Sequence, residues 1–266
     1  MIVELPHGRA YAYTGGRPLD ASLPGIVFVH GALHDHSVWI QQTRYLAHHG
    51  HAVLAVDLPG HGRSTGTALG VEAAGRWIAD LVEAVGLQRV AVAGHSMGSV
   101  IALEAAARLG ERARHLLMIG TAYPMKVAPA LLEMCRTDVL QAIDRVNTLS
   151  LSTHAAKPSS PGPGFEMHGG NRALMRRMQA GYREGNLFLE DFQACDRYAG
   201  LPAAAAALRC PATLVLGARD QMNSPKAVAP IVEALAPRVV VLQAGHNMMG
   251  EAPDALLDVL VETLRD

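Results

Sequence analysis

Six short apolar runs recur along this chain, and none of them alternates with polar residues. They are Ile26–His30 (IVFVH), Ala52–Asp57 (AVLAVD), Val90–Ala93 (VAVA), Leu116–Ile119 (LLMI), Thr213–Gly217 (TLVLG) and Val239–Leu242 (VVVL). A strand with one wet face alternates, whereas a strand covered on both faces reads as a continuous hydrophobic run. Between the runs lie stretches of helical pattern: Trp39–His49, Val71–Val85, Ser99–Leu109, Pro225–Leu235 and Pro253–Leu264. Ser224 and Pro225 supply an N-cap and a first-position proline for one of them. The N-terminal segment MIVELPHGRAYAYTGG alternates like a further strand. Strand and helix in alternation predict βαβ units. The expected architecture is α/β, a doubly wound, mostly parallel sheet with helices on both faces.

One long segment breaks this rhythm. From Thr121 to about Leu208 there is no convincing strand pattern. The segment carries helical stretches at Pro129–Thr148, Asn171–Glu184 and Leu187–Arg197, and a small-residue helix at Ala203–Ala207. It also carries a Pro/Ser/Gly-rich loop, KPSSPGPG, at Lys157–Gly164. The expected organisation is a core of residues 1–120 and 209–266 with a helical cap, residues 121–208, inserted between two core strands. A chain of 266 residues is long enough for one large core and such a lobe.

Composition narrows the function classes. A formal net charge of −1 gives no basic footprint for nucleic acid. No apolar run reaches the roughly 20 residues that span a bilayer, and no basic amphipathic segment suits a membrane surface. The N-terminus lacks the charged region and apolar core of a signal peptide. Three cysteines, Cys135, Cys195 and Cys210, lie far apart, which fits a reducing compartment better than a disulfide framework. These features point to a cytoplasmic protein acting on a small molecule, without nucleic acid or membrane as partner, as a monomer or homodimer.

The sharpest chemical signal lies where Val90–Ala93 meets Gly94-His95-Ser96-Met97-Gly98 and then a helical pattern. A serine hydroxyl is a weak nucleophile until a base takes its proton. Flanking glycines permit a tight turn and close approach, and the following helix aims its N-terminal N–H groups at the site. Gly-x-Ser-x-Gly between strand and helix is the nucleophile elbow.

With that motif, VFVHGALHDHSVW (Val27–Trp39), VDLPGHGRS (Val56–Ser64), VLGARDQMNSP (Val215–Pro225) and QAGHNMMGEAP (Gln243–Pro253) follow in order. On these residues the chain resembles the α/β-hydrolase fold superfamily, in its serine esterase/lipase-like branch with a helical cap. The resemblance implies Ser96 as nucleophile and a triad in the order serine, acid, histidine. Downstream of Ser96 lie His115, His154, His168 and His246, and of these His246 alone follows a core strand. Asp220 closes TLVLGARD at the end of a strand and becomes the acid. Some family members carry the acid one strand earlier, but here that position reads Gly120-Thr121-Ala122. Asp57 precedes the serine and is read as a turn residue, while Asp138 and Asp144 are placed on a solvated helix face.

The oxyanion hole needs two backbone donors. Met97 N–H supplies one and, by resemblance, Ala32 the other, with Leu33 as fallback. Candidate pocket residues are Leu33, His34, His95, Met125, Met222 and Asn247. His34-Asp35-His36 is weighed as a metal pair and read as a polar loop, because no further cluster completes a metal site. His61 and Arg63 are read as fixing their loop. The implied mechanism requires no metal or organic cofactor. The expected reaction is hydrolysis of a small or medium, mainly apolar carboxylic ester. Competing readings are a carbon–carbon bond hydrolase for β-diketone-type substrates, a cofactor-free lyase or perhydrolase, and a non-catalytic receptor with a retained triad.

Overall fold

The computed structural model describes residues 1–6, 8–152, 165–223 and 225–265. His154, the Lys157–Gly164 loop and Ser224 lie outside the described residues. Eight strands form one sheet, β1 (Ile2–Leu5), β2 (Gly8–Tyr13), β3 (Gly25–Val29), β4 (Ala52–Asp57), β5 (Val90–His95), β6 (Ala113–Ile119), β7 (Ala212–Gly217) and β8 (Arg238–Leu242). Their spatial order is β1-β2-β4-β3-β5-β6-β7-β8. From β4 to β8 in that order every pairing is parallel, while β1 and β2 add an antiparallel edge. The N-terminal segment is thus two strands that turn back on each other, where its sequence suggested one.

Successive strand residues point to opposite faces. Val27, Val29, Val90, Val92, Leu116 and Met118 enter one buried cluster. Ile26, Phe28, Ala91, Ala93, Leu117 and Ile119 enter the other. Helices α2 (Val71–Ala84) and α3 (Met97–Leu109) cover the first face. Helices α1 (Ile40–His48) and α11 (Pro253–Leu264) cover the second. This two-sided burial is why β3 to β7 read as continuous apolar runs; β8 is an edge strand whose Val239 and Val241 are exposed, so its run is not covered on both faces as the sequence suggested. The core is completed by α9 (Ala229–Leu235) and the short α10 (Met248–Glu251).

Between β6 and β7 the chain leaves the sheet for α4 (Pro129–Thr137), α5 (Val139–Ser150), α6 (Phe165–Gly181), α7 (Leu187–Arg197) and α8 (Leu201–Ala207). Helices α4 to α7 build their own apolar cluster, including Cys135, Ile143, Met175, Leu187 and Phe188. Although it falls within residues 121–208, α8 places Leu201 and Ala204 in the core cluster beside α3. The stretch Pro129–Thr148 is two helices rather than one. Asp138 breaks it and caps α5, its carboxylate accepting the Gln141 N–H at 3.0 Å. Among the described residues, no helix is long and apolar enough to cross a membrane.

Candidate active site

Strand β5 ends at His95 and α3 begins at Met97. Ser96 occupies the junction with φ 53° and ψ −121°, a conformation that non-glycine residues adopt only when their surroundings impose it. Both neighbouring glycines are required sterically. A Cβ on Gly94 would stand 1.9 Å from the Gly98 oxygen, and one on Gly98 would stand 2.4 Å from the main-chain oxygens of Val29 and His30. The turn is pinned by Ser96 N–H to Ile119 O at 2.9 Å and Ser99 N–H to Ser96 O at 2.8 Å.

His246 lies in the loop after β8 and Asp220 in the loop after β7. Their side chains meet, Nδ1 to Oδ2, at 2.8 Å, and are only 4% and 5% exposed. The other carboxylate oxygen of Asp220 accepts the N–H groups of Met222 at 2.7 Å and Asn223 at 3.0 Å. Burial works to raise the Asp220 pKa. The His246 hydrogen bond and charge, with the two amide bonds, outweigh it and hold the carboxyl below its ordinary value. An ionised Asp220 requires a proton on His246 Nδ1, so a neutral ring keeps its lone pair on Nε2. His95 supports this arrangement from below, donating from Nε2 to the main-chain oxygen of His246 at 2.9 Å. Burial first, and then the neighbouring His246, push the His95 pKa well down. Gly120, at the end of β6, makes the meeting possible. Its φ is 58°, and a Cβ there would press to 3.2 Å against the His246 and His95 rings.

The loop after β3 is fixed residue by residue. His30 is fully buried, donates from Nδ1 to Gly31 O at 2.8 Å and accepts the Leu58 N–H on Nε2 at 3.1 Å. Burial, reinforced by His61, brings its pKa down to about 4. His34 sets Nδ1 2.6 Å from Ala32 O and Nε2 2.8 Å from Asn171 Oδ1, with burial drawing its pKa down.

Ser96, His95, His246, Ala32, His34, Met222 and Asn247 line one cleft. The expected pocket residues His34, His95, Met222 and Asn247 are therefore brought together. Leu33 and Met125 are not. Leu33 turns away at φ 57°, and its fully buried side chain joins the cluster of the helical lobe. Its N–H donates to Asp191 Oδ2 at 2.8 Å, so the fallback oxyanion donor is already engaged. Met125 packs in the core cluster, because the segment after β6 is tied down by Tyr123 N–H to Ala227 O at 2.8 Å. The rest of the wall includes lobe residues that sequence reasoning did not single out, among them Val146, Asn171, Phe188 and Phe192.

Asp35, His36 and Asp57 bring ligand-type atoms within 4.8 Å of one another. Their carboxylate oxygens already have protein donors. Asp57 takes the His36 N–H and ring at 2.8 and 2.7 Å and the Arg63 N–H at 2.8 Å. Asp35 takes the Ser37 N–H at 2.9 Å and Arg177 at 2.9 Å. Asp57 thus ties its own loop, and His61 does likewise from Nδ1, 3.1 Å from Pro59 O.

The comparisons with known proteins agree with this architecture. An esterase from Exiguobacterium antarcticum has a TM-score of 0.80 at 19% identity, over 100% of this chain and 99% of that one. The enol-lactonase from Burkholderia xenovorans LB400 has a TM-score of 0.77 at 20% identity, over 100% of both chains. A hydrolase from Pseudomonas aeruginosa PA01 has a TM-score of 0.81 at 18% identity, over 100% of this chain and 98% of that one. In sequence, an (E)-2-((N-methylformamido)methylene)succinate hydrolase from Acinetobacter baylyi is 36% identical over 78 residues, 29% of this chain and 29% of that relative. The sequence pattern of the alpha/beta hydrolase family matches residues 26–259. Spanning all but the two ends, that match shows that the chain belongs to the alpha/beta hydrolase family.

Proposed function

We propose that the protein is a serine hydrolase for small or medium carboxylic esters, working through Ser96, His246 and Asp220. The observation that carries this reading is the strained elbow at Ser96, which shares a cleft with a His246 ring held by Asp220. His246 Nε2 takes the Ser96 proton as Oγ attacks the ester carbonyl carbon. The N–H groups of Met97 and Ala32 receive the oxyanion, and Asp220 stabilises the imidazolium. His246 then protonates the departing alcohol, leaving an acyl-serine. Water, deprotonated by His246, attacks the acyl carbon, and the carboxylic acid leaves as Ser96 regains its proton.

The lobe selects the substrate. Phe188, Phe192 and Val146 from the lobe face Met222 and Met249 from the core, an apolar lining suited to a short or medium acyl chain. The similar proteins named as esterase, enol-lactonase and succinate-derivative hydrolase support hydrolysis as the reaction class.

The test is a fluorophosphonate probe read by peptide mass spectrometry, beside turnover of p-nitrophenyl acetate, butyrate and octanoate. Label on Ser96 with repeated turnover is the expected result. Label without turnover of any ester would move the reading to a carbon–carbon bond substrate or a receptor. An unlabelled Ser96 would sink the mechanism.

A further inference from the structure

The helical lobe does more than wall the cleft: one of its carboxylates reaches the loop that presents Ala32. Asp191 sits on α7 and is 2% exposed. Its Oδ2 accepts the Leu33 N–H at 2.8 Å and a hydrogen from His61 Nε2 at 2.9 Å. These partners lie 158 and 130 residues away in sequence.

The protons around this carboxylate can be assigned from geometry. His61 Nδ1 faces Pro59 O and Nε2 faces Asp191, both of them acceptors. Both ring nitrogens face acceptors, so a protonated His61 ring donates to both. Burial opposes that charge, but Asp191 and the hydrogen bonds outweigh burial and hold the His61 pKa above its ordinary value. The neighbouring ring, His30, lies 4.8 Å away between centroids. It has one acceptor and one donor as partners, so it stays neutral. Asp191 and His61 thus form a buried hydrogen-bonded pair that joins the lobe to the core, with Asp57 also favouring a proton on His61.

The same carboxylate fixes a peptide plane. In the Gly31–Ala32 unit the oxygen is tied to His30, which sets the direction of the Ala32 N–H, because the peptide is planar and trans. In the next unit the Ala32 oxygen is tied to His34 and the Leu33 N–H to Asp191. Leu33 is left-handed at φ 57°, a conformation unfavourable to residues with a side chain. Rotation of the Ala32–Leu33 peptide would return Leu33 to negative φ. That rotation would also change ψ at Ala32 and swing the Ala32 oxygen away from His34. The Asp191 bond opposes this relaxation.

We propose that Asp191 is a positioning residue for the oxyanion loop: it locks the Ala32–Leu33 peptide and with it ψ of Ala32, so that the adjoining plane, held on its other side by His30, keeps the Ala32 N–H toward the reacting oxygen. The proposal rests on the serine-hydrolase reading above. It makes the lobe a working part of transition-state stabilisation as well as a cover.

The test compares wild type with Asp191→Asn, Asp191→Ala and His61→Gln. Fluorophosphonate labelling counts competent Ser96 sites, and kcat and KM for p-nitrophenyl butyrate are expressed per labelled site. Inhibition by butylboronic acid, whose serine adduct places an oxygen in the oxyanion position, is measured on the same samples. Asp191→Ala is expected to lose about 10²-fold in kcat with KM within about threefold, as for a lost oxyanion donor. The boronate Ki should rise in step. Asp191→Asn keeps an oxygen for Leu33 N–H but loses the charge, and should lose roughly tenfold. If Asp191→Ala does not fold, Asp191→Asn and His61→Gln decide by the same measurements. A kcat and a boronate Ki per labelled site within about twofold of wild type in every folded variant would overturn the proposal, since a packing role alone lowers only the number of sites. A wild type that neither labels nor turns over overturns this proposal together with the serine-hydrolase reading. Wild-type turnover with unaffected variants overturns this one alone.

Discussion

Replacing Asp220 by asparagine separates charge and proton placement from shape. Two main-chain N–H groups, of Met222 and Asn223, converge on Oδ1 at 2.7 and 3.0 Å, while His246 Nδ1 meets Oδ2 at 2.8 Å. In Asp220→Asn the amide oxygen must stay where the two N–H groups converge, because the opposite orientation sets an NH₂ against two donors. The NH₂ therefore faces His246 Nδ1. That nitrogen must then accept, and the ring proton moves to Nε2, the atom meant to take the Ser96 proton. A triad histidine in the wrong tautomer costs about 10⁴-fold in kcat, or about 5.4 kcal/mol of barrier. The fold loses far less. Three hydrogen bonds become neutral without a change of shape, at about 1–2 kcal/mol in all. For a chain of this size that lowers Tm by roughly 2–8 °C. The assay is kcat on p-nitrophenyl butyrate per folded molecule, with Tm by calorimetry on the same samples. A variant that keeps its Tm and stays within about tenfold of wild-type kcat would show that the working acid is elsewhere.

Three further outcomes follow from the same contacts. Gly98→Ala forces a methyl to 2.4 Å from two main-chain oxygens and should cost about 3 kcal/mol, or roughly 6–12 °C in Tm; an unchanged Tm would mean the backbones do not approach that closely. Phe192→Ala removes a largely buried ring from the cleft wall. It should shift preference from butyrate toward octanoate esters by about tenfold and cost about 3 kcal/mol of stability; an unaltered chain-length profile would argue against the lobe as the acyl wall. His30 has a folded pKa of about 4, below its unfolded 6.5, so its contribution is present above pH 6.5 and is lost as pH falls toward 4. In urea melts wild type should lose about 3 kcal/mol more than His30→Gln between pH 7 and pH 4, a difference that cancels the shifted His34, His95 and His61, and equal losses would contradict its neutral, buried state.

Most of the sheet was legible because β3 to β7 are covered on both faces, and the apolar runs coincide with β3 to β8 to within a few residues at their ends, although β8 is a partly exposed edge. The elbow was legible for a different reason. Gly94 and Gly98 are dictated by contacts under 2.5 Å, and such a steric need leaves a fixed sequence mark. Asp138 was not legible as a helix break, because a capping aspartate and a solvated one look alike without the Gln141 N–H in view. Leu33 was assigned to the pocket from its place in the oxyanion loop, and Met125 as an adaptable apolar side chain. A left-handed φ at Leu33 and the anchoring of Tyr123 on Ala227 send both side chains elsewhere. Asp191, Asn171, Phe188 and Phe192 left no local signal. Their roles depend on how the lobe sits over the sheet, and helical periodicity gives only the face a helix buries, not what it meets.

Gly120 also bears on how this chain can change over generations. The carboxylate that meets His246 comes from the end of β7, and the neighbouring strand end is occupied by a residue without a side chain. The volume beside Gly120 is filled by the His246 and His95 rings and by Met248. An acidic residue at 120 would have to displace the ring it was meant to orient, and would do so from a positive φ. A single substitution at 120 therefore cannot carry the acid across to β6. Innovation is channelled instead into residues 129–197, where altered helices can reshape the cleft while the strand ends stay as they are.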